Sequence, residues 1–246
     1  LMMGIFLLIL ILIPGIGKEV NGSMRWIQLG PFSLQASEPV KLFFIAYLAG
    51  YMVRHRETLR TNFTGFISPI IVLTFISILL LLEPDFGATV VLFGTALGML
   101  FMGGVSLIRF SAWVAVAVAF LSTVAVLSPY RLQRLMSFVD PWKDPYDSGF
   151  QLTQALIAFG QGDWFGVGLG SSVQKLFYLP EAHTDFIFSV LAEELGLLGS
   201  ITMILLYSFI VWRAFVIGHI AERVEKYFAA YFAYGIGLII GIQAYI

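Results

Sequence analysis

The sequence predicts an all-α, polytopic membrane helical bundle: about seven transmembrane helices in one domain over residues 1–246, with a long extracytoplasmic loop at 129–185 carrying short amphipathic helices. Three observations carry this. Hydrophobic residues make up 59% of the 246 and charged residues 12%, against about 45–50% and about 25% in a soluble domain. Mean hydropathy is +0.90. The apolar residues come in long runs that lack the charged opposite face of a water-soluble helix. A net charge of −1 excludes the basic surplus of a nucleic-acid binder. The absence of cysteine excludes disulfides and thiolate metal sites.

A spanning helix needs about 20 mostly apolar residues. Seven runs are candidates: 1–16, 38–53, 66–82, 86–103, 110–128, 186–212 and 227–246. The outermost two begin and end inside apolar sequence, so the chain reads as a fragment. The first run has neither the basic start nor the cleavage site of a signal peptide. Connections 54–65, 104–109 and 213–226 carry seven basic residues in about 32 positions: Arg54, Arg56, Arg60, Arg109, Arg213, Arg223 and Lys226. Connections 17–37, 83–85 and 129–185 carry six in about 80: Lys18, Arg25, Arg131, Arg134, Lys143 and Lys175. The denser set is expected in the cytoplasm, which puts the loop 129–185 outside.

Within that loop, Leu132, Leu135, Met136 and Val139 follow helical spacing, with Arg131 and Arg134 off the stripe. The stretch FQLTQALIAF (150–159) is a second weakly amphipathic segment, and both are expected along the outer membrane surface. DPWKDPYDSG between them is turn chemistry. GQGDWFGVGLGSS places five glycines in eleven residues. No strand precedes it, so it fails the test for a dinucleotide-binding loop and reads as a flexible connector.

The densest polar cluster is LPEAHTDFIF, residues 179–188, at the edge of an apolar run. Thr184 or Asp185 suits the N-cap of the following helix, where the dipole favours a carboxylate. That leaves Glu181, His183, Glu193 and Glu194 unexplained. On a regular helix Glu193 lies about 80° round the axis from Asp185 and Glu194 about 180°, each about 12–14 Å further along. Ionisable groups at such depth face a bundle interior or a wet cavity, unless the helix projects above the membrane. Glu38 and Lys41 in SEPVK sit one helical face apart, which a local ion pair would explain. Glu83 and Asp85 in EPDFG, and Arg25 and Trp26 in NGSMRW, fall at other outer ends, where Trp26 suits an interfacial anchor. Together they suggest a polar site opening outward.

At NGSMRWIQLG, ASEPVK, EPDFGATVV, PYRLQRLMSFVDPWKDPYDSGFQLTQALIAFGQGDWFGVGLG and SSVQKLFYLPEAHTDFIFSVLAEELG the chain resembles the SEDS family (shape, elongation, division and sporulation). The lead-in SVQKL and Ala182 make it more similar to the division branch than to the elongation branch. The family often has Gln where Glu83 stands, and Glu83 is given no role. The resemblance implies ten spans, of which this chain would hold the third to the ninth. It implies a glycosyltransferase of the bacterial inner membrane that polymerises lipid II into β-1,4 glycan strands at the division septum. A class B penicillin-binding transpeptidase and other divisome membrane proteins would be its partners. Carried over, Asp185 is the essential acidic residue, Glu38 and Lys41 lie in the central cavity, and Arg25 and Trp26 are the RW pair.

The chemistry agrees with that expectation. A pyrophosphate leaving group needs its negative charge stabilised, and an acceptor hydroxyl needs a base. Asp185 would be the base or would hold a divalent cation (Mg or Mn), with Glu181 and Glu193 as further oxygen ligands. Lys41, Arg25, Arg131 and Arg134 are candidates for the pyrophosphate. Trp26, Glu181, His183, Thr184 and Glu193 would support the substrate site. A lipid II flippase and a non-catalytic scaffold are the alternatives. A flippase predicts charges strung across the membrane depth, whereas these cluster toward the outer side.

Overall fold

The computed structural model describes residues 1–13, 17–20, 23–29, 32–147, 149–176 and 184–245. Ten α-helices, two short 3-10 helices (Phe63–Phe66 and Pro141–Lys143) and three strands follow one another along them. Helix α1 is Met2–Ile11; strands β1, β2 and β3 are Gly17–Val20, Ser23–Leu29 and Phe32–Gln35. Then come α2 (Ser37–Arg54), α3 (Arg56–Thr61), α4 (Ile67–Leu82), α5 (Phe86–Met102), α6 (Leu107–Val126), α7 (Pro129–Val139), α8 (Phe150–Gly162), α9 (Ile187–Arg223) and α10 (Tyr227–Tyr245). The chain divides into two compact units, residues 1–118 with 209–246, and residues 119–208.

The expected spans all appear as helices. Four are long and apolar enough to cross a membrane: Thr64–Leu82, Leu107–Val126, Ile187–Arg223 and Tyr227–Tyr245. Met2–Ile11 and Phe86–Met102 are apolar but shorter, and α2 carries Glu38, Lys41 and Arg54. In apolar surroundings backbone polar groups must be satisfied within the segment, which favours helix wherever charge is absent. Buried hydroxyls follow the same rule. Ser77, Thr89 and Thr95 donate to the carbonyls of Leu73, Asp85 and Val91, one turn back. The outer surfaces are apolar, with Ile108 82% exposed and Ile71 63%. Such side chains suit lipid rather than water.

In the first unit α10 packs on α2 and α5 through small residues. A Cβ on Gly235 would stand 2.4 Å from Ile45, and one on Gly98 2.8 Å from Leu238. Close backbone approach of this kind gains dispersion contacts where lipid removes the hydrophobic drive. At the arginine-rich end, Arg60 Nε donates to the Gly103 carbonyl at 3.2 Å. Arg109 donates to the carbonyls of Leu59, at 3.2 Å, and Arg60. The Arg56 guanidinium lies over the Tyr227 ring, 4.1 Å from its centre.

One expectation needs correction. The all-α reading treats 17–37 as a plain connection, but residues 17–35 hold an antiparallel sheet in the order β1-β2-β3. Trp26 pairs with Lys18 on one side and Gln35 on the other. The signal was slight: Asn21-Gly22, a hairpin dipeptide, stands between two segments, and SMRWIQL holds the strand formers Trp26 and Ile27.

Candidate functional site

In the first unit the sheet is fastened to the turn between α4 and α5. Arg25 Nε donates to the Glu83 carbonyl at 3.2 Å, and its Nη2 to the Pro84 carbonyl at 2.5 Å. Gln35 Nε2 donates to Asp85 Oδ2 at 3.3 Å. Asp85 Oδ1 accepts from the Ala88 amide at 3.0 Å, which makes Asp85 the N-cap of α5. Arg25, expected at a phosphate, thus spends two of its five donors on the protein. Trp26, beside it in β2, is half-buried.

Glu83 is 1% exposed, and neither carboxyl oxygen has a partner among the described residues. Burial, and next the Asp85 charge, push its carboxyl up to about 8 from 4.5, with the Arg25 guanidinium pulling the other way. Glu83 therefore holds its proton more tightly folded than unfolded. Stability is highest below the unfolded value near 4.5 and falls as pH rises through about 8. Glu83→Gln keeps the shape of the neutral acid. Thermal unfolding of the detergent-solubilised protein from pH 5 to 9 should show a decline for the wild type and a flatter profile for the variant. Parallel profiles would mean that Glu83 stays ionised.

Helix α2 presents Lys41, Phe44, Ile45, Leu48 and Met52 on one buried stripe. Lys41 Nζ lies 2.8 Å from Glu38 Oε1, with side-chain exposures of 4% and 55%. A buried ammonium is costly unless paired. Here it donates a single bond to a half-exposed carboxylate, its only partner among the described residues, leaving two donors for something else.

In the second unit α9 is broken at Gly196, whose φ of 66° and ψ of −162° are non-helical. An unbroken helix would bond the amides of Leu197 and Leu198 to the carbonyls of Glu193 and Glu194. Instead Leu197 donates to Asp163 at 2.8 Å and Leu198 to Trp164 at 3.3 Å. The freed carbonyls take the amides of Val167, at 2.9 Å, and Gly168, at 3.1 Å. The glycine-rich stretch 163–168 is thus spliced into the helix ladder. Two lost helix bonds become four bonds to the loop. The splice needs bare backbone, because a Cβ on Gly162 or Gly166 would stand 2.0 or 2.1 Å from the Ala192 or Glu194 carbonyl oxygen. The loop expected as a flexible connector is held fast.

The carboxylates beside the break complete the attachment. Glu193 is 0% exposed and accepts from Ser172 Oγ at 2.5 Å, Val173 N at 2.9 Å and Gln174 N at 3.4 Å. Glu194 accepts from Lys175 Nζ at 2.5 Å and Ser172 N at 3.4 Å. Both glutamates are committed to the loop 172–175.

Asp185 differs from these acids. It stands exposed in the turn before α9, and among the described residues its carboxylate has no partner. The first bonds of α9 run to the Phe186 carbonyl, from Ser189 at 3.0 Å and Val190 at 3.2 Å, so the cap falls at Phe186 rather than at the expected Thr184 or Asp185. Thr184 is exposed in the same turn. Glu181 and His183, and the side chains of Arg131 and Arg134 on α7, lie outside the described residues. Among the described residues no three His, Asp or Glu side chains gather to hold a metal ion. Asp185 supplies one oxygen donor group there, with Glu193 already engaged.

Long apolar helices with a lipid-suited surface, a buried lysine on one of them and a helix broken around an inserted loop are features of a multi-pass membrane protein. The family model described as "Cell cycle protein", that of FtsW, RodA and SpoVE, matches residues 1–246, and the chain belongs to this SEDS family. Proteins of Nitrosococcus halophilus and Pseudomonas fluorescens, both named "Probable peptidoglycan glycosyltransferase FtsW", are 58% and 57% identical to it, over 100% and 95% of this chain. The chain spans 63% and 57% of their lengths. A chain from a structure titled "Structural coordination of polymerization and crosslinking by a peptidoglycan synthase complex" superposes with a TM-score of 0.75 at 26% identity, over 98% of this chain and 66% of that one. The rod shape determining protein RodA of Thermus thermophilus shares the fold, with a TM-score of 0.64 at 24% identity over 98% of this chain and 61% of its own.

Proposed function

We propose that this chain is the larger part of a peptidoglycan glycosyltransferase that polymerises lipid II into β-1,4 glycan strands at the division septum of a bacterial inner membrane. The observation that carries the reading is Asp185, an exposed carboxylate with no partner among the described residues, in the turn before α9. The names of the relatives point the same way. Helices α1, α2 and α5 join the four long apolar helices as spans, making seven, with 129–185 outside. A class B penicillin-binding transpeptidase and other divisome membrane proteins are the partners.

In the reaction the acceptor hydroxyl oxygen attacks the anomeric carbon of the donor sugar. Asp185 takes the hydroxyl proton as general base. The bond from that carbon to the undecaprenyl pyrophosphate breaks, and the leaving group carries away the electron pair and its negative charge. A leaving group of that charge calls for cationic donors, and Lys41 and Arg25 of the first unit have donors unspent among the described residues. A divalent cation on Asp185 would polarise the same hydroxyl when bound. The described residues offer it a single carboxylate, so no step here depends on it.

The test is polymerisation of labelled lipid II by the full-length protein with its transpeptidase partner. Product strands support the reading; lipid II flipping without polymer favours a transporter. Lys41→Met separates function from stability. Exchanging a buried, singly paired charge for an apolar side chain of similar length should leave unfolding unchanged or raise its midpoint. Polymerisation should fall by about 100-fold or more. A destabilised but active variant would make the pair structural only.

A further inference from the structure

We propose that Glu193 and Glu194 are positioning residues for Asp185, forming a clasp that fixes both ends of the segment bearing it. This rests on the reading of Asp185 as the base. The bonds from residues 172–175 to Glu193 and Glu194 close a loop of chain running from Leu176 to Ala192. Asp185 lies inside that loop. At one end the chain enters from Ser172–Lys175, held by the two carboxylates; at the other it continues into α9, which carries those same carboxylates. The splice at Gly196 gives the clasp its footing, since it fastens 163–168 to the same turn of the helix.

The two acids divide the work. Glu193 is fully buried and takes a hydroxyl and two amides, so it acts as an internal receptor for the loop backbone. Glu194 meets Lys175 at the rim, where the two side chains are 14% and 23% exposed. A general base must lie within hydrogen-bond reach of its proton. Misplacement by about 1 Å costs on the order of 100-fold in rate. Loosening the clasp should therefore lower the rate of the step while leaving substrate affinity alone.

The experiment uses the full-length protein with its transpeptidase partner and initial polymerisation rates over a series of lipid II concentrations. Glu193→Ala should lower kcat about 100-fold and Glu193→Gln about 10-fold, with KM within about twofold of wild type. Lys175→Glu and Glu194→Lys should each lower kcat about 10-fold, and the double exchange should restore it to within about threefold. A loss of kcat at unchanged KM and unchanged unfolding midpoint, reversed by the double exchange, is what a structural role alone would not give. Unchanged kcat in folded Glu193→Ala, a rise in KM alone, or a double exchange no better than its singles would overturn the proposal. Where Glu193→Ala does not fold, the exchange pair decides. Asp185→Asn run alongside keeps the two readings apart: its full activity removes the base itself, whereas its inactivity beside unaffected clasp variants removes only the clasp.

Discussion

Replacing Asp185 by Asn is expected to abolish polymerisation while leaving the protein folded. Asn keeps the size of the side chain but cannot take a proton, so a general-base contribution of about 100- to 10,000-fold is lost. The stability side of the expectation comes from the structure. The Asp185 carboxylate is exposed, caps no helix and has no partner among the described residues. A surface change away from packing and caps moves stability by about 0.5 kcal/mol at most. Rate assays and thermal unfolding on the same preparation check both halves. Loss of activity with an unchanged unfolding midpoint is the signature of a catalytic carboxylate. Loss of both would mean that Asp185 supports the fold, and loss of neither would move the chemistry to Lys41 and Glu38.

The second large effect is on stability. Gly166→Ala should cost about 3 kcal/mol or more and release the loop from α9. Gly166 has φ +77°, where an L side chain is strained by about 1–2 kcal/mol. Its added Cβ would stand 2.1 Å from the Glu194 carbonyl oxygen. That contact cannot persist, so the backbone must part, and the bonds from Val167 and Gly168 to Glu193 and Glu194 go with it. Each is worth about 1 kcal/mol net. Gly170→Ala is the control, with a φ of +81° but nothing within 4 Å of the added Cβ, so it should cost the conformational strain alone. Thermal unfolding gives the difference, and limited proteolysis across 160–176 should cut the first variant far faster. Equal costs would show that the splice does not contribute to stability.

These two glycines show why legibility differed along the chain. A run of apolar residues can satisfy its backbone in lipid only as a helix, whatever surrounds it. The apolar helices and the amphipathic α7 and α8 are therefore written locally. The sheet at 17–35 was also readable, through Asn21-Gly22 and the strand formers of SMRWIQL, but so short a segment is easily read as a connection. For the candidate site, motif resemblance singled out Asp185, Glu38 and Lys41. Local reading did not show what their neighbours also do: Glu193 accepts from the loop, and Arg25 ties β2 to the α4–α5 turn.

By itself the sequence determined the membrane class, the positions of the apolar helices and the residue types available for chemistry, because each follows from residues adjacent on the chain or one helical turn apart. Only the tertiary structure decided which acids are engaged. The donors that occupy Glu193 and Glu194 stand about 20 positions earlier in the sequence, and the amides that replace the lost helix bonds of α9 come from 163–168. Nothing in the local pattern marks a helix that will open to admit a loop. The exchange becomes favourable only when bare glycine backbone lets the two segments approach closely enough to trade hydrogen bonds.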